Sequence, residues 1–153
     1  MKEHDIAETR RKAEELFQSG LNCAESALLA LAKMQHIEAP VMPGIATCFG
    51  GGMALTGGTC GALTGSVMGL GLAFGRVETS DSIQTARAAT KRLVNEFEHA
   101  CGGKDCHVLL AYEPNDALTH QVFSQQGRRD RCANYTGQAV ELAARIILEK
   151  KGG

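Results

Sequence analysis

Apolar residues recur along almost the whole chain at the spacing of an α-helix, and no stretch alternates apolar and polar positions as a half-buried strand would. The pattern predicts an all-α fold. Ile6, Ala13, Leu16 and Phe17 form one stripe of a first helix, entered by a capping box of Asp5 and Glu8 and stopped at Gly20. A second helix is expected from Asn22 to about His36. Pro40 and Pro43 open a short third segment ending in Phe49-Gly50-Gly51-Gly52, and after a Gly57-Gly58 turn an apolar helix runs from about Cys60 to Gly75. A fifth begins near Asp81, sets Ile83, Ala86, Leu93, Phe97 and Ala100 on one face, and stops at Gly102-Gly103. Asp105 begins a short helix reaching Tyr112, and Pro114 to Gln126 supplies another. Asp130 to Lys150 closes the chain with Val140, Ala143, Ala144 and Ile147 facing inward.

The 153 residues suffice for one core and show no linker, repeat or low-complexity segment, so a single-domain bundle around the glycine-rich apolar helix is expected. Eleven of the 18 glycines fall between Gly44 and Gly75. Within the apolar helix, Gly65, Gly69, Gly71 and Gly75 would let neighbouring helices approach closely. Ala62 to Phe74 is too short an apolar stretch for a bilayer, and the charged opening MKEHDIAETRRKAEEL has no apolar signal region, so membrane insertion is not expected and the cytoplasm is. Sixteen Lys and Arg against 17 Asp and Glu leave a net charge of -1, which provides no basic field for nucleic acid.

Six cysteines then stand out in a chain without tryptophan. In a reducing compartment, they point to metal ligation or redox chemistry before structural disulfides. Cys23 follows Asn22, with Glu25 completing a capping box; Cys60 follows Thr59; Cys106 follows Asp105; Cys132 lies two residues beyond Asp130. All four thus sit at expected helix starts, where the helix dipole favours a thiolate. Cys60, behind the neutral cap Thr59, is expected to be the most acidic of the six. Cys48 and Cys101 fall toward helix C-termini and read as packing cysteines, although Cys101 and Cys106 could also form a local redox pair.

Other chemistry finds little support. There is no C-x-x-C, no Gly-Lys-Ser/Thr after the glycines, and no strand ahead of an intact G-x-G-x-x-G. His36, His99, His107 and His120 are scattered, and Glu14-Glu15 and Glu96 with Glu98 read as solvated helix faces, so no hydrolase centre emerges.

The run Gly20-Leu-Asn-Cys23-Ala-Glu-Ser, then Phe49-Gly-Gly-Gly52, Thr59-Cys60-Gly61-Ala62-Leu63-Thr64-Gly65, Cys106-His-Val-Leu-Leu110 and Cys132 resembles the C_GCAxxG_C_C family of redox-active proteins. The resemblance implies a helical redox protein whose four characteristic cysteines are Cys23, Cys60, Cys106 and Cys132. Such a set could hold an iron-sulfur cluster or cycle between dithiol and disulfide, serving a redox partner that the sequence does not identify. Zinc in an all-cysteine site, or a homo-oligomeric helical interaction module with structural cysteines, are the alternatives.

Overall fold

A computed structural model describes residues 2–114, 121 and 124–152. Eight helices and no strands occur among them: α1 (Lys2–Gln18), α2 (Cys23–Met34), α3 (Met42–Thr47), α4 (Gly50–Met53), α5 (Gly61–Phe74), α6 (Gln84–Cys101), α7 (Cys106–Leu109) and α8 (Gln126–Gly152). The helix expected from Pro114 to Gln126 falls largely outside the described residues. No helix among the described residues is long and apolar enough to cross a membrane.

The long α8 packs against α1, α2, α5 and α6, and α5 lies against α2, α6 and α8. One core joins them, with Leu31, Leu63, Leu70, Leu93, Phe97, Val140 and Ile147 all shut off from solvent. A smaller cluster of Leu28, Met42 and Ala46 fastens α3 to α2. At the surface, Arg10 ties α1 to α8 through Glu141 (3.2 Å) and Asn134 (3.0 Å).

Helix entry differs from expectation in three places. Asp5 lies inside α1, which is already helical from Lys2, so it is no cap. Cys60 is itself the N-cap of α5, displacing Thr59 from that role. The last helix begins at Gln126 rather than Asp130, which puts Cys132 in its second turn. On α6 the fully buried positions are Ala89, Leu93 and Phe97, whereas Ala100 is exposed.

Small residues set how closely α2 and α5 approach. A Cβ on Gly65 would stand 2.4 Å from the Ala24 carbonyl oxygen, and one on Gly69 would stand 2.5 Å from Leu31 Cδ1. Gly61 extends the stripe one turn earlier, against Cys23. Of the other two glycines expected to serve contact, Gly71 faces open space and Gly75 ends the helix.

Between α3 and α5 the chain does something the sequence pattern does not announce. Gly51 (φ 70°), Gly52 (φ 66°), Met53 (φ 69°), Ala54 (φ 52°) and Leu55 (φ 68°) are consecutively left-handed. For the three that carry a Cβ this conformation costs roughly 1–2 kcal/mol each. The turn is held by Gly57 N–H donating to the Gly51 carbonyl (3.2 Å) and Gly58 N–H to that of Gly52 (2.9 Å), while Thr56 Oγ1 donates to Gly52 O (2.8 Å). It brings the Gly51 backbone to the Cys23 sulfur.

The glycine stripe yields a paired test. Gly65→Ala should lower stability by about 1–3 kcal/mol through overpacking. Gly71→Ala, which meets nothing and relieves a helical glycine, should raise it by about 0.5–1 kcal/mol. Urea unfolding of both variants checks the signs.

Candidate functional site

Local order around Cys23 is set within four residues. Asn22 Oδ1 accepts from Glu25 N–H (2.9 Å), Glu25 Oε1 accepts from Asn22 N–H (2.9 Å), and this closed capping box makes Cys23 the first residue of α2. Its sulfur lies where a side chain on Gly61 would sit, 2.5 Å from the position of a Cβ there.

Backbone pairing then joins Cys60 to Cys106, which are 46 positions apart in sequence. Thr59 and Asp105 form an antiparallel bridge, with Cys60 N–H donating to the Lys104 carbonyl (2.7 Å) and Cys106 N–H donating to the Gly58 carbonyl (2.7 Å). Gly52 supports this junction from the other side. A Cβ there would fall 2.4 Å from the Gly58 carbonyl oxygen and 2.8 Å from Cys106 Cβ.

The fourth cysteine comes in on α8. Carbonyls left open at the C-terminal end of α7 are taken by α8 side chains: Arg128 Nε donates to Leu110 O (3.0 Å), Tyr135 Oη to Leu109 O (3.1 Å), and Arg131 also donates to Leu109 O. These bonds dock the first turns of α8 on α7, and Cys132 stands between Arg131 and Tyr135 in sequence.

As a result Cys23, Cys60, Cys106 and Cys132 line one enclosed cavity of about 20 Å³, closed by Gly51, Gly61, Leu109, Leu110 and Tyr135. Cys60 and Cys106 are buried, while Cys23 and Cys132 are half-buried. Tyr112 Oη donates to Cys106 Sγ at 3.1 Å. Tyr112 is a member of the site that sequence reading did not single out, and nothing in the residue pattern around it signals the contact.

Burial governs the protonation of these thiols. It pushes Cys23 above its ordinary range, against backbone N–H groups of Gly51, Ala24 and Ala62 that favour the thiolate. Cys60 is pushed well up, first by burial and then by the neighbouring Cys23. The expectation that Cys60 is the most acidic thiol is therefore wrong: a helix start carries about half a unit charge, and full desolvation outweighs it. Burial raises Cys106 to about 11 although Tyr112 pulls the other way, and raises Cys132 to about 12 with repulsion from Cys23 and Cys106 adding to it.

Cys48 and Cys101 stay outside this group. Cys48 caps the C-terminus of α3 and is exposed, contrary to its expected packing role, because the apolar run around it turns Ile45 outward as well. Cys101 ends α6, half-buried, with burial raising its pKa and Arg10 lowering it. It does not line the cavity that holds Cys106. His36 and His99 are exposed and His107 is half-buried outside the cavity, while His120 lies outside the described residues.

The raised thiol pKa values predict a pH effect. Their folded values lie above the ordinary 9.0, so on raising the pH the unfolded chain loses these protons first. The stability they contribute is complete below pH 9 and is lost as pH climbs toward about 11 at Cys106 and about 12 at Cys132. In urea unfolding of reduced, metal-free protein from about pH 8 to about pH 10.5, the native chain should lose stability more steeply than Cys106→Ala, by up to about 1.4 kcal/mol per pH unit. Equal slopes would contradict the assignment.

No curated protein and no solved structure matches the chain. Residues 21–146 match the family described as "Putative redox-active protein (C_GCAxxG_C_C)", a span containing all six cysteines, and the chain belongs to that redox-active family.

Proposed function

We propose that Cys23, Cys60, Cys106 and Cys132 together hold an iron-sulfur cluster and that the protein is an electron carrier. The observation that carries this reading is the convergence of four cysteines, from four separate elements, on one enclosed cavity. Four thiolates are the usual ligand set of such clusters, and dispersed ligands suit one as well as a local motif does.

The state of the thiols supports the choice over free dithiol exchange. Disulfide exchange requires a thiolate as nucleophile, and burial keeps all four sulfurs protonated near neutral pH. Bound cationic iron would supply the compensation that solvent does not. A single zinc ion is the competing occupant of the same four sulfurs and would draw them to within about 2.3 Å of one point. Among the described residues no three His, Cys, Asp or Glu side chains are already grouped to hold a metal ion of either kind, so reconstitution decides between the two.

When bound, the cluster would supply one-electron chemistry. The chain's own residues hold and tune it: the four cysteines as ligands, the Gly51 and Ala62 N–H groups directed at Cys23, and the Tyr112 hydroxyl on Cys106. Hydrogen bonds to ligand sulfur stabilise negative charge there and are an established means of setting a cluster's potential. Leu109, Leu110 and Tyr135 exclude water.

Anaerobic reconstitution of the full chain with ferrous iron and sulfide tests the reading. Broad visible absorption with matching bound iron and acid-labile sulfide is expected. Serine at Cys23, Cys60, Cys106 or Cys132 should abolish or strongly reduce both, while Cys48→Ser and Cys101→Ser should retain them. A colourless protein that binds one equivalent of zinc, or one that takes no metal and cycles reversibly between dithiol and disulfide, would overturn it.

A further inference from the structure

Beside the enclosed cysteine cavity lies a second, open cleft of about 310 Å³ that shares Cys23 and Cys132 with it. Its volume falls at the lower end of the range for small-molecule sites. The walls are mainly apolar, formed by Phe17 from α1, Leu21 from the α1–α2 turn and Leu55 from the left-handed segment; Asn22 is the one uncharged polar amide among them, and no carboxylate lines them.

One charge enters this cleft. Arg129 sits in its wall with the guanidinium 5.5 Å from the centre of the Phe17 ring. The other two arginines of the Arg128-Arg129-Asp130-Arg131 segment are committed elsewhere, Arg128 to the Leu110 and Ala111 carbonyls and Arg131 to that of Leu109. Among the described residues no carboxylate or carbonyl takes the Arg129 side chain. A guanidinium set against an aromatic ring still has donors to offer, and an anion with two adjacent oxygens can take them in pairs.

We propose that this cleft binds a small organic anion, its carboxylate or sulfonate on Arg129 and its apolar body against Phe17, Leu21 and Leu55, directly over Cys23 and Cys132. Two features require each other here. An apolar slot alone would accept neutral molecules, and a lone surface arginine would accept any anion. Together they select an amphipathic one of limited size. Any influence of the bound anion on the cysteine centre rests on the redox reading above. Binding itself needs no loaded centre, so the two can fail separately.

Fluorescence titration of the full chain as purified, with 8-anilinonaphthalene-1-sulfonate and its neutral counterpart N-phenyl-1-naphthylamine, separates the contributions. The sulfonate should saturate at one equivalent. Its affinity should fall on the order of tenfold or more in Arg129→Gln, the scale expected for loss of a charge-assisted bond, while the neutral dye is unaffected. Leu55→Glu, a change at an exposed position on the rim, should also weaken the sulfonate, by repulsion, and its circular dichroism should match that of the native chain. Binding without saturation, a sulfonate affinity unmoved by either substitution, or equal loss of both dyes in Arg129→Gln would overturn the proposal.

Discussion

The cysteine centre depends on a missing side chain. A Cβ on Gly61 would stand 2.5 Å from Cys23 Sγ and 2.9 Å from the Phe49 carbonyl oxygen, inside any distance that atoms tolerate. With hydrogen at that position, α5 can approach the first turn of α2 closely enough for Cys60, its N-cap, to share a cavity with Cys23. Gly65 and Gly69 repeat the approach further along the same seam. The centre is therefore built by close backbone packing between two helices, and two further contacts complete it: the Thr59–Asp105 bridge, which delivers Cys106, and the α8 side chains on the α7 carbonyls, which deliver Cys132.

That construction sets the electrostatics. Packing close enough to bring four thiols together also removes the water that would stabilise them as thiolates, so each is pushed toward its neutral form. Backbone N–H groups and Tyr112 favour charge at the sulfurs but do not overcome burial. Thiols held neutral in this way are poor nucleophiles near neutral pH. Of the four cysteines, Cys23 and Cys132 also line the open cleft, with Gly51 shared between the two spaces, while Cys60 and Cys106 do not.

What the sequence made legible was local. The Asn22–Glu25 box closes within three residues, and the helical period of α8 identified Val140, Ala143, Ala144 and Ile147 as interior without tertiary help. The four site cysteines were singled out as helix starts, and that premise held at Cys23 and Cys106 and at the cap position of Cys60, but not at Cys132, because Arg128 and Arg131 recruit the preceding turn of α8 to bind α7. The acidity expected of Cys60 failed for a related reason: a dipole is readable from position, whereas desolvation depends on what the rest of the chain brings alongside. Met53, Ala54 and Leu55 carry no signal for a left-handed backbone. They adopt it because the Gly51 and Gly52 carbonyls are held by Gly57 and Gly58, a constraint that arises only once the loop has closed.

The central claim is that four sulfurs from four elements act as one ligand set for a polynuclear metal group. Iron-edge X-ray absorption of the reconstituted protein addresses it directly, because scattering reports both the neighbours of iron and the distance between irons. The account predicts a first shell made of sulfur alone and a distinct iron–iron contribution, both lost in Cys60→Ser. Iron surrounded by oxygen or nitrogen, with no second iron nearby, would contradict it.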